Sequence, residues 1–206
     1  MMPFFSRRVG LSRSGEVMPI HFAGKVTGRI QDYNIGLLDA VVDGEDGLRN
    51  VFVGRVSRNI FEQSSVGFLT TIGDSNSDVM NSANGLDFQY RNTDIFGGKT
   101  MVANLYALGT YTEVGSGLDP AWGVETKIYD RNLDFSASVT EVGEDFNPSM
   151  GYVRRRGVRR YQLEADFIPY HDSISWLRNS RHGYEVEINT DLSNDVVDTD
   201  QSFALA

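Results

Sequence analysis

The ten residues 133–142, "LDFSASVTEV", put Leu133, Phe135, Ala137 and Val139 in one set and Asp134, Ser136, Ser138 and Thr140 in the other. Side chains on a β-strand point alternately to opposite faces, so the stretch reads as a strand with one apolar and one polar face. In a soluble protein a second sheet or a helical layer would cover the apolar face. In a bacterial outer membrane, lipid would.

The same period recurs along the chain. "IHFAGKVTGRI" (20–30) sets Ile20, Phe22, Gly24, Val26, Gly28 and Ile30 against His21, Ala23, Lys25, Thr27 and Arg29. "LDFQYRN" (86–92) sets Leu86, Phe88 and Tyr90 against Asp87, Gln89 and Arg91; "YQLEADF" (161–167) sets Tyr161, Leu163, Ala165 and Phe167 against Gln162, Glu164 and Asp166; "YEVEIN" (184–189) sets Tyr184, Val186 and Ile188 against Glu185, Glu187 and Asn189. Between the strands fall "QDYN", "DGEDGLRN", "GDSNSD", "IFGGK", "GSGLDP", "YDRN", "GEDFNPSMG" and "NSRHG", rich in turn-forming Gly, Asn, Asp, Ser and Pro. The pattern predicts an all-β chain, one domain over residues 1–206: an antiparallel meander of roughly a dozen strands of about 8 to 12 residues, with no amphipathic helix.

The 206 residues carry 28 acidic and 19 basic side chains, a formal charge of −9, which argues against a nucleic-acid partner bound through its phosphates. There is no cysteine, hence no disulfide and no thiolate metal site. Residues 1–17 have arginines but no apolar run of a signal peptide, and no 18-residue apolar stretch could span a bilayer as a helix. An envelope location would place the signal upstream and make the chain a fragment of a longer protein.

Alternation suits both a soluble sandwich and a transmembrane barrel. Three features favour the barrel: strand lengths near the ~9 to 11 residues of a tilted crossing, small residues on the apolar faces (Gly24, Gly28, Ala103, Ala107, Ala137, Ala165), and Tyr33, Tyr111, Tyr129 and Phe167 near strand ends, where an aromatic girdle would sit. Strand closure needs the first and last strands to pair, and an open sheet with unpaired edges at 20–30 and at the C-terminal strands is expected instead.

Two segments carry a family resemblance. "FFSRRVGLSRSGEVMPIHFAGKVTGRIQDYNIGLLDA" (4–40) resembles the start of the barrel in a bacterial envelope family of unassigned activity, through Phe5, Ser6, Arg7, Arg8, Val9 and Gly10, then Pro19, Ile20, Ala23, Gly24, Lys25, Thr27, Gly28 and Arg29, then Ile35, Gly36, Leu37 and Leu38. "VGEDFNPSMGYVRRRGVRRY" (142–161) resembles a second motif of that family at Val142, Gly143, Phe146, Asn147, Pro148, Gly151, Tyr152, Val153 and Arg155. Members typically carry a family 9 carbohydrate-binding-like module ahead of a C-terminal outer-membrane β-barrel. The resemblance implies a barrel fragment in the bacterial outer membrane, with lipid as its partner and carbohydrate met through the missing module; it implies no reaction.

The candidate chemistry is sparse, and no catalytic, cofactor or metal residues are assigned. "IFGGKT" (95–100) ends like a phosphate loop, but Thr93 stands where glycine is needed and an alternating stretch follows where a helix should. Glu185 and Glu187 share a strand face about 7 Å apart, a spacing that would suit a glycosidase pair but is ordinary on the wet face of an acidic chain. "DSNSD" (74–78) and "DGEDG" (43–47) read as Asx-rich turns, since neither continues as a calcium loop, and His21, His171 and His182 lie in separate segments. The arginines of "RRRGVRR" (154–160) fall on both faces by alternation; a reset near Gly157 and salt bridges to lumen acids such as Glu164 and Asp166 are expected, the alternatives being an anion-attracting constriction or contacts to lipid phosphates at the rim. These features predict a non-enzymatic barrel segment, an anchor or channel; a soluble carbohydrate-binding or hydrolase-like β-domain is the other reading.

Overall fold

The computed structural model describes residues 2–12, 14–44, 47–114, 117–171 and 177–205. Among these residues eleven strands form one sheet in chain order, each antiparallel to the next: β1 (Ile20–Ile30), β2 (Tyr33–Gly44), β3 (Gly47–Ile60), β4 (Ser64–Ile72), β5 (Asn81–Ile95), β6 (Lys99–Thr112), β7 (Leu118–Tyr129), β8 (Leu133–Val142), β9 (Val158–Phe167), β10 (His182–Thr190) and β11 (Val196–Leu205). The one helical element among the described residues is a single 3₁₀ turn, Ser6–Arg8. Strands run from 9 to 15 residues, well above the ~5 to 6 usual in soluble sheets.

The register keeps one side-chain parity on each face across the sheet. Val26 pairs with Leu37, Ile35 with Val56, Val56 with Phe68, Phe68 with Leu86, Phe88 with Leu105, Leu105 with Val124, Val124 with Val139, Ala137 with Leu163, Leu163 with Val186, and Tyr184 with Phe203. Directly paired residues share a face, so Phe22, Val26, Phe88, Leu133, Phe135, Val139, Leu163 and Phe167 all lie outward, as the alternation predicts. Lys25, Asp87 and Glu164 take the opposite, concave face, paired with Leu38, Gly67 and Ser136.

Buried apolar side chains gather at one rim of the concave face. Ala40, Val51 and Met150 form one cluster with Phe4, Val9 and Leu38 against it; Leu108, Ala121, Val142 and Phe146 form a second with Tyr106 and Val153. Phe146 and Met150 are 0% exposed and belong to no strand. A flat sheet covers one side of a side chain; complete burial of both requires that the strands curve around them. They come from the connection 143–157, which the sequence marks as a turn and which folds inward instead. Met2 and Tyr152 exchange backbone hydrogen bonds of 2.9 and 2.7 Å, and Phe5 N–H donates to the Met150 carbonyl at 2.8 Å, so the N-terminal segment lies alongside that connection.

Two sequence expectations change. A bulge between Ile20 and Phe22 pairs Ile20 with Val42, which turns Ile20 off the outward row and against Gly10. Tyr129 pairs with Asp134 and shares the parity of Lys127, so it faces inward, its ring 5.8 Å from Lys127 Nζ, and is not part of an outer girdle. Tyr33, Tyr111 and Phe167 do face outward near strand ends, with Arg58 5.4 Å from the Tyr33 ring centroid.

Among the described residues β1 pairs with β2 alone and β11 with β10 alone, so both edges of the sheet are open. Eleven antiparallel strands leave β1 and β11 running in the same direction, so any direct pairing between them would be parallel.

Phe146→Ala should lower the unfolding stability of the protein by about 3–5 kcal/mol, the cost of an unfilled cavity. Phe22→Ala, on a side chain 61% exposed, should cost far less. Denaturant midpoints of the two variants test this; an equal or larger loss at Phe22 would contradict the rim core.

Candidate functional site: the polar concave face and a cavity at its rim

The concave face carries a ladder of polar pairs. Arg55 on β3 forks onto Asp87 on β5, with Nη2 to Oδ1 at 2.8 Å, and the intervening β4 supplies Gly67, where a Cβ would lie 2.6 Å from Nη2. The missing side chain leaves the guanidinium its path across the strand. Gln89 donates to Asn104 at 3.0 Å and Asn104 to Glu125 at 3.1 Å; farther round, Gln162 donates to Glu187 at 2.8 Å and Asn189 to Glu187 and Asp198 at 2.8 and 2.7 Å.

The arginine run is reset where expected. Gly157 has φ +65° and β9 starts at the next residue. The partners differ from Glu164 and Asp166: Arg159 binds Glu141, Arg160 lies 3.7 Å from Glu187, and Arg155 binds Asp198 at 2.7 Å. Asp166 pairs instead with Arg181, which reaches it from 168–181, the connection between β9 and β10. Register decides this, because Arg159 is opposite Glu141 while Glu164 and Asp166 sit lower on the sheet. Arg159 and Glu141 lie on the outward face at the rim, where Trp122 Nε1 donates to Glu141 at 3.1 Å.

The two motifs of the resemblance meet at this rim. Arg8, from the first, lines a cavity of about 310 Å³ with Asn147, Pro148, Gly151 and Val153 from the second, together with Ser149, Arg156, Asp74 and Asn76. Buried side chains fix its walls: Asn81 Nδ2 donates to the Asn147 carbonyl at 2.8 Å, Asn147 N–H donates to Thr110 Oγ1 at 2.9 Å, Ser149 Oγ donates to the Gly73 carbonyl at 2.8 Å and Ser75 Oγ to the Arg8 carbonyl at 3.2 Å. Two motif glycines are steric necessities. A Cβ on Gly143 would stand 2.9 Å from the Pro120 carbonyl oxygen, and one on Gly151 2.4 Å from the Met2 carbonyl oxygen.

The other sequence candidates resolve as turns and strands. Residues 96–98 form the β5–β6 turn with Gly97 and Gly98 at φ +83° and +95°, and strand β6 follows at once. Within "DSNSD", Asn76 N–H donates to Asp74 Oδ1 at 2.8 Å, an Asx turn, and Asp78 binds Arg49; Glu45 and Asp46 of "DGEDG" lie outside the described residues. Glu187 is held by Gln162, Asn189 and Arg160, while Glu185 is exposed opposite Glu164. His21 lies 3.7 Å from Asp43, whereas His171 and His182, separate in sequence, both reach Ser180 Oγ, at 3.0 and 3.1 Å. Among the described residues no three His, Cys, Asp or Glu side chains are grouped to hold a metal. No family model, curated protein or solved structure matches the chain.

At the opposite end of the sheet, Asp130 organises the β7–β8 turn. Its Oδ1 accepts the N–H groups of Asn132 and Leu133 at 2.7 and 2.8 Å, and Lys99 binds its other oxygen. Lys99 first, then the Asn132 N–H, hold the Asp130 pKa below the ordinary 3.8. A depressed folded-state pKa stabilises above the unfolded value and loses that contribution as pH falls through the folded one. The stability gap between wild type and Asp130→Asn should therefore be full at neutral pH and close as pH drops below about 4; a gap constant from pH 7 to pH 2 would contradict it.

Proposed function

We propose that the chain is a non-enzymatic β-barrel segment of the bacterial outer membrane, an anchor or channel wall in a larger envelope protein connected with carbohydrate. The observation that carries this is the polarity of the sheet. Its outward face is an apolar belt from Val26 on β1 to Phe203 on β11, with Leu37, Phe68, Leu86, Leu105 and Val124 each at least 40% exposed. Away from the rims its ion pairs and amide ladders, such as Arg55–Asp87 and Gln162–Glu187–Arg160, lie inside. Soluble monomers keep contiguous apolar patches to a few hundred Å²; lipid is the solvent that such a belt suits. The open edges fit a wall that further strands complete, since bare edges are tolerated in a bilayer only when covered. Trp122 with the Glu141–Arg159 pair outside one rim, and Tyr33 with Arg58 outside the other, suit the two interfaces. The connection with carbohydrate rests on the resemblance of 4–40 and 142–161 to the envelope family.

As a soluble carbohydrate-binding or hydrolase-like domain, the chain would need a second layer over that belt. Partitioning separates the two readings. The proposed segment should require detergent and resist carbonate extraction from membranes; release by carbonate would contradict it. Val124→Arg, mid-belt, should cost about 2–4 kcal/mol of folding into vesicles, and Ser136→Arg, on the concave face, much less. Equal costs would refute the assignment of faces.

A further inference from the structure

We infer that the rim cavity is a binding site for a small ligand carrying a phosphate or similar oxyanion, gripped by Arg8 and Arg156 with Asn147 between them. Among the described residues neither guanidinium has a carboxylate within ion-pairing distance, so both charges are left to a ligand in the cavity they line. Arg156 Nη2 donates to Asn147 Oδ1 at 2.8 Å, which orients both groups: it leaves the other guanidinium N–H donors and the Asn147 Nδ2 amide for a ligand. Asp74 also lines the cavity, its Oδ1 already accepting the Asn76 N–H, so two guanidinia against one carboxylate leave the lining net positive. A wall rich in donors matches a ligand group that offers only acceptors, and planar guanidinia suit the paired oxygens of a phosphate.

The walls are preformed. Asn147 is pinned through its backbone by Asn81 and Thr110, each 1% exposed, so the amide between the two arginines is held in place before binding. A volume of about 310 Å³ accommodates a phosphorylated monosaccharide as well as inorganic phosphate. The site faces the concave side of the rim, and the inference stands apart from the membrane reading: a soluble form of the fold would carry the same cavity.

Calorimetric titration of the complete refolded chain in zwitterionic micelles tests it, with inorganic phosphate, glucose 6-phosphate, glucose, and micelles doped with phosphatidic acid as separate arms. Saturable binding of phosphate and glucose 6-phosphate but not glucose is expected. Arg8→Ala or Arg156→Ala should weaken it by about 10–100-fold, and Arg154→Ala, outside the lining, should leave it unchanged. Arginine-dependent binding in the phosphatidic acid arm alone would also support the site and assign the oxyanion to a lipid headgroup. Should an arginine variant fail to fold, Asn147→Asp, which keeps an acceptor for Arg156 but adds a negative charge, should abolish binding. Absence of binding in every arm, or binding that Arg8, Arg156 and Asn147 variants leave unchanged, would overturn the inference.

Discussion

Every strand of the sheet alternates with period two, and a slip of one residue in any pairing would carry a strand's entire apolar set to the other face. Ten successive pairings hold the same parity from β1 to β11. The separation of an apolar exterior from an ion-paired interior, and the placement of the rim segment, depend on that shared register. Hairpins of two or three residues at 31–32, 61–63, 96–98 and 130–132 enforce it locally, and the bulge next to Ile20 shows what a shift does: one side chain leaves the outer row and turns to the rim.

Within that frame the connection 143–157 does what a strand cannot. It crosses the concave rim, fills it with Phe146 and Met150, and is tied by hydrogen bonds to the N-terminal segment, to Gly73 and Asn81 beside β4 and β5, and to Thr110 on β6. One connection thus braces strands far apart along the sheet. It also builds the cavity, because Arg8, Asn147 and Arg156 come together only when both motif segments fold against the same rim.

The sheet could be read from the sequence because its signal is local. The alternation of Leu133–Val142 needs no knowledge of its neighbours, and each strand of this kind repeats the message. The rim could not be read that way. Phe146 and Met150 sit in a Gly, Asp and Pro-rich stretch whose composition says turn, and their burial depends on β2, β3, β6 and β7 closing around them. Apolar residues out of period in a polar connection were the available signal. Arginine partners were missed for a related reason: alternation gives the face of Arg159 and Arg160, but the register that puts Glu141 and Glu187 beside them arises from pairing. Tyr129 lies inward, not in an outer girdle, because proximity to a strand end says nothing about parity.

The proposed membrane reading puts lipid against the outward face of the sheet and water against the concave face. Since the chain has no cysteine, single nitroxide labels can be walked from residue 133 to 140 in protein reconstituted into vesicles. Collision with oxygen, which concentrates in the bilayer, should peak at 133, 135, 137 and 139, and collision with a water-soluble nickel chelate at 134, 136, 138 and 140. Both sets reporting water, or the two phases exchanged, would contradict the account.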